Sequence, residues 1–259
     1  MMTELDTAHA AMEAAPEDDL ARLRFYERLA DTELFLLLEG EPEGDDVTPQ
    51  TFEVEDQTFV LVFDRIERLT GFTGSESPYA GLSGRMLVRM LAGQGIGLGL
   101  NLETGPSAML IPSDAVDWLA ETLAHGPEVA EARPVEFTAP QGLPDSVVAG
   151  IDRKLASAVG LARFAYLAGV IYDTGARGHM LAFVDAVEGA EAALASAAGE
   201  ALTFSGIDAG AIDVAFVRAQ DSAAASLARV GLRFDLPEPE VAAAPIAPGS
   251  DPDKPPRLR

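Results

Sequence analysis

The sequence predicts an α+β protein with mixed α/β content: two small domains, each a mixed sheet packed by helices. Three observations lead there. Stretches of helical period alternate with stretches of period two along most of the chain. The length, 259 residues, exceeds the roughly 100–200 of one ordinary domain. Residues 127–144 hold four prolines near the middle of the chain and read as a connection. The expected layout is a first domain at 1–133, a linker at 134–144, a second domain at 145–236 and a proline-rich tail at 237–259.

Residues 5–15 and 17–31 read as helices. Pro16, Glu17, Asp18 and Asp19 open the second, where the positive end of a helix dipole favours acids. Leu20, Leu23, Tyr26 and Leu29 follow at helical spacing and mark its buried face. Residues 33–39 form a short apolar run between acids and read as a strand. Residues 50–64 read as a hairpin. Phe52 and Val54 alternate with polar residues, the chain turns at 55–57, and Phe59 to Phe63 is a buried strand. Residues 65–72 suggest a short helix, 71–81 a loop, and 82–95 a helix closed by glycine.

The stretch from Ala92 to Pro112 needs a choice between a phosphate-binding loop and a strand. Ile96, Leu98, Leu100 and Leu102 alternate with Gly97, Gly99 and Asn101. That period puts aliphatic residues on one sheet face and glycines on the other. No G-x-G-x-x-G spacing is completed, and a turn follows instead of a helix start. The stretch is therefore expected to be a strand, with a helix lying close over its glycine face.

Residues 113–126 read as a helix capped by Ser113 or Asp114, with His125 in its last turn complementing the dipole. The second half reads helix (145–159), two strands, helix (188–202), strand (211–219), short helix and last strand. The tail holds seven prolines and no aromatic residue, so disorder is expected there.

Composition narrows the function classes. Acidic residues number 42 against 18 basic, a formal charge of −24. Residues 1–133 carry 26 acids and 8 bases, residues 134–259 carry 16 and 10. Such a surface repels phosphate backbones and anionic headgroups, so neither nucleic acid nor membrane is an expected partner. The chain has no cysteine, which removes disulfides and thiolate chemistry. The first residues lack the basic stretch of a signal peptide, and no apolar run reaches the roughly 18 residues of a membrane span. A cytoplasmic location is expected.

The enzyme signals are weak one by one. Asp173-Thr174-Gly175 after an apolar strand has the look of an aspartic-protease signature, but every residue suits a turn between two strands. His9, His125 and His179 show no metal-binding spacing. No serine sits in G-x-S-x-G, and neither Lys154 nor Lys254 follows a glycine-rich run. No catalytic residue, metal or cofactor is expected. A polar loop at 73–85 and the turn at 101–107 remain as a candidate partner-binding surface, carried by Tyr79, Arg85, Asn101 and Ser107.

Several stretches together resemble the SseB family, named for enhanced serine sensitivity. "RLRFYERLADTELFLLLE" resembles that family's helix with paired aromatics and following strand. "TFVLVFDRIERLTGF" resembles its next strand and short helix, and "GLNLETGPSAMLIPSDAVDWL" its turn, strand and helix. "ARFAYLAGVI", "GHMLAFVDA" and "IDVAFV" resemble its C-terminal domain, so the likeness spans about 15–236. The family turn carries proline after asparagine, whereas here Leu102 follows Asn101. The resemblance implies two α+β domains and no established catalytic residues. The expected function is a non-enzymatic interaction or regulatory protein whose partner is another protein. An accessory factor or enzyme of sulfur or serine metabolism, and a homo-oligomeric structural module, are the alternatives.

Overall fold

The computed structural model describes residues 2–41, 47–124, 133–208 and 211–239. Among them are eight helices and two mixed sheets, the α+β architecture the periodicities predict. His125 and most of the 237–259 tail lie outside the described residues.

The chain opens with α1 (Glu4–Ala14), closed at its start by a capping box between Thr3 and Asp6, and α2 (Asp19–Asp31), capped by Asp18. Then come β1 (Glu33–Leu37), β2 (Thr51–Val54) and β3 (Gln57–Phe63). Glu55 and Asp56 join β2 to β3, both at positive φ (48° and 64°), as a two-residue hairpin turn requires. Helix α3 (Ile66–Thr73) ends on Gly74 at φ 71°. Next are β4 (Tyr79–Ser83), α4 (Gly84–Leu91), β5 (Ile96–Leu100), β6 (Met109–Ile111) and α5 (Ser113–Ala124). The sheet order is β4-β1-β3-β5-β6, with β2 also paired to β3 and only β3–β5 parallel.

The second sheet is made by β7 (Pro134–Thr138), β8 (Phe164–Tyr172), β9 (Arg177–Val184), β10 (Ile212–Val217) and β11 (Leu232–Asp235). It is ordered β10-β9-β8-β11, with β7 also paired to β8 and only β10–β9 parallel. Helices α6 (Asp145–Leu155) and α7 (Glu191–Thr203) cover one face, and α8 (Ser222–Val230) lies on the other.

The central strands split their residues between two cores. In the first sheet, Leu34, Leu36, Val60, Val62, Leu98 and Leu100 meet buried residues of α1, α2, α4 and α5. Leu37, Leu61 and Phe63 face the opposite way, toward Leu69 of α3. Phe204, just after α7, joins the first core, so the two helix layers back onto each other.

Three expectations need correcting. Residues 79–83, read as loop, form β4, which pairs with β1 from Tyr79↔Leu37 to Ser83↔Glu33. Pro134–Thr138, read within a linker, form β7 on the edge of the second sheet. Glycines 97 and 99 do lie in a strand, but the neighbour on their face is not a helix. A Cβ on Gly97 would stand 2.6 Å from the Phe59 ring, and one on Gly99 2.9 Å from the Phe52 ring. Two aromatic rings, with the Ile111 carbonyl oxygen 2.5 Å from the Cβ position on Gly97, fill the space where side chains are missing.

Candidate interaction surface

The four residues proposed as a surface separate into three environments. Asn101 and Ser107 are fully buried and belong to a polar tie within the N-terminal unit. The Asn101 side-chain amide donates to Ser107 Oγ at 2.9 Å, and Ser107 donates to Asp6 Oδ1 at 2.6 Å. Arg68 of α3 donates to Asp6 and to Asp64, each through Nη1 at 2.9 and 2.8 Å. Thr3 donates its hydroxyl to Asp64, and the Asp64 amide donates to Asn101 Oδ1. A Cβ on Gly105 would fall 2.8 Å from Arg68, so the turn at 101–107 closes over the guanidinium only because glycine stands there. Burial pushes the Asp6 carboxyl up. Hydrogen bonds from Arg68, Ser107 and Thr3, with the Arg68 charge, outweigh it and hold the group well below the usual carboxylate range. The turn is an internal brace between α1, α3 and β5, and this removes Asn101 and Ser107 from any contact surface.

Arg85 lies between the two units. It donates to Glu200 Oε1 at 2.8 Å and to Asp31 Oδ1 at 2.9 Å. Lys154, 6% exposed, meets Asp31 and Glu200, each at 2.8 Å. Arg153 approaches Glu27 at 3.7 Å. Burial raises the Glu200 carboxyl, but hydrogen bonds from Arg85 and the charge of Lys154 bring it below its ordinary range. Glu27 goes the other way: burial raises it, and Lys154 and Arg153 offset only part of that. Arg85 thus ties α4 to α7 and is committed to the inter-unit contact.

Tyr79 alone stands on a surface, 41% exposed on β4. Its ring meets Phe35 edge-on at 5.5 Å. Phe52 stacks on Phe59 at 5.6 Å, and Phe63 meets Phe72 of α3 at 5.4 Å. Phe35, Phe52, Phe72 and Leu102 are half-buried around this cluster. Leu110 pairs with Gly99, which puts it on the same face, and is 38% exposed. One short helix covers this face, whereas four cover the other. Glu33, on the Phe35 side of β1, and Glu67 and Glu103 in neighbouring elements are exposed. The result is a band of aromatic and aliphatic carbon beside acids.

Sequence reading missed Phe35, Phe52, Phe72 and Leu110 as surface residues. The signal was there in the glycines: a strand face without side chains invites rings from its neighbours. The remaining motifs fall elsewhere. Asp173 is exposed in the β8–β9 turn, with Gly175 at φ 82°. His9 is buried edge-on against Phe25, and His179 faces the Gln141 carbonyl oxygen at 3.0 Å. Among the described residues no group of three or more His, Cys, Asp or Glu is placed to hold a metal. No described helix is long and apolar enough to cross a membrane.

Comparison with known families gives one result. Residues 8–118 match the family model of the SseB protein N-terminal domain. That span runs from α1 into α5 and includes the whole aromatic band and its glycine strand. No curated protein and no solved structure matches the chain.

Proposed function

Since the chain belongs to the SseB family through the N-terminal domain at residues 8–118, we propose that it is a non-enzymatic interaction or regulatory protein. It binds another protein through the open face of its first sheet. One observation supports this above the others: the band formed by Tyr79, Phe35, Phe52, Phe72 and Leu110 stays partly uncovered while the opposite face carries four helices. Partly exposed apolar surface of this kind, rich in Tyr and Phe, is where protein partners gain their contact energy.

Charge defines the partner further. Residues 1–133 carry 26 acids and 8 bases, and Glu33, Glu67 and Glu103 are exposed around the band. The complementary surface has an apolar anchor inside a basic rim, and the acids steer it in and set the orientation. The polar tie under the turn at 101–107 links the end of β5 to α3 and so braces one end of this face.

Photo-crosslinking in the native host tests this. A benzoylphenylalanine in place of Leu110 is expected to give a discrete protein adduct, weakened by added salt. The same group in place of Glu13, exposed on α1, gives none. Equal adducts from both positions, or none from Leu110, would reject the assignment.

A further inference from the structure

Most open sheet edges in the described structure are guarded. Strand β4 follows Pro78 and runs straight into α4, and β6 is three residues long before Pro112. Strand β2 has four residues with Glu53 among them, and β7 begins on Pro134 and has a register irregularity between Pro134 and Glu136. Strand β11 carries Arg233 and Asp235, paired with each other, with Pro237 beyond. Proline, charge, short length and bulges are the devices by which edges avoid adding a further strand.

Strand β10 has none of them. "IDVAFV" runs six residues in unbroken register beside β9 and stands last in its sheet. Its one charge, Asp213, turns inward over Gly178 and accepts a hydrogen bond from Tyr172, away from the edge. The Val217 carbonyl accepts from the Asp185 amide, so Val217, Ala215 and Asp213 turn their backbone groups toward β9. Ile212, Val214 and Phe216 therefore turn theirs outward. Phe216 stacks on Phe183 at 5.7 Å yet is 38% exposed.

We propose that β10 is the seam of a homodimer, in which two copies pair antiparallel about a two-fold axis through Val214. In that register Val214 faces its own copy and Phe216 faces Ile212 of the second chain. All outward amides and carbonyls from Ile212 to Phe216 are then satisfied, and α7 of each copy lies on the same side of one continuous sheet. The exposed part of Phe216 is covered by an aliphatic neighbour. A second copy suits this edge because it lies in the less acidic half of the chain. The half containing β10 has 16 acids and 10 bases, against 26 and 8 in the other half, so the strongest self-repulsion lies away from the seam. The proposal does not depend on the aromatic band, which lies on the first sheet.

Light scattering on the full chain, with amide exchange followed by NMR, tests the seam. The wild type is expected at twice the chain mass, with Val214 and Phe216 amides exchanging more slowly as concentration rises. Val214→Pro removes an outward N–H and leaves the β9 ladder intact, as proline on an edge strand allows. It should weaken dimerisation roughly tenfold or more. Should that variant fail to fold by circular dichroism, Phe216→Lys, at a ring 38% exposed on the edge, decides, and it is expected to be monomeric. A wild-type monomer with concentration-independent exchange would overturn the seam. So would a dimer that survives these substitutions.

Discussion

The two faces of the first sheet are built from alternate residues of the same strands, but they are finished differently. Leu34, Leu36, Val62, Leu98 and Leu100 disappear beneath four helices, each 1% exposed or less. Phe35, Phe52 and Tyr79 lie on the other face, which carries one two-turn helix, and keep part of their rings in solvent. Aliphatic residues interlock with helix side chains and leave little room, whereas on the other face the rings of Phe59 and Phe52 take the place of side chains at Gly97 and Gly99. The helix side stores stability. The ring side holds apolar carbon that a partner can still bury.

Substitutions that separate the two roles sharpen the contrast. The largest loss is expected beneath both faces, at the polar tie. Arg68→Met leaves Asp6 and Asp64 buried without their cation and should cost about 3–5 kcal/mol by urea unfolding. Leu98→Ala, on the helix side, should cost about 2–5 kcal/mol and leave partner binding per folded molecule unchanged. A similar loss from Tyr79→Ala would break the distinction between the faces. That variant is expected to stay within about 1 kcal/mol of wild type, since its ring is 41% exposed, while binding falls.

Smaller effects belong to the inter-unit contact. Glu200 has a lowered pKa, so its contribution is complete above the ordinary carboxylate value of 4.5 and is lost as pH falls through the folded value. Glu27 has a raised pKa, so its contribution is present below 4.5 and is lost as pH rises through its folded value. Glu27→Gln should therefore raise the melting temperature slightly at pH 7 and change nothing once the native carboxyl is protonated. A destabilised Glu27→Gln at pH 7 would show that the Arg153 contact outweighs burial.

Most helices and strands were legible because their periods are clean. The missed strands, β4 and β7, carry Gly81 and Pro134 and sit beside Pro78 and Arg133, a composition that local rules assign to loops. The site was less legible. Asn101 and Ser107 sit in a turn of glycine, proline and threonine, which suggests exposure. Their burial comes from Asp6, 101 positions from Ser107, and from Arg68, 62 positions from Asp6. No local window contains those partners. Arg85 was similarly read as surface, because its acid Glu200 lies 115 residues on. Tyr79 remained on the surface because its one aromatic neighbour, Phe35, meets it edge-on and leaves the outer ring open.

The most direct test of the proposed binding face measures one affinity twice. The protein captured from position 110 would be purified and titrated against the wild-type chain and against Tyr79→Ala, each shown to be folded. A loss of tenfold or more in affinity, about 1.4 kcal/mol, at nearly equal melting temperature is the predicted result. Unchanged affinity for a folded Tyr79→Ala chain would contradict the account.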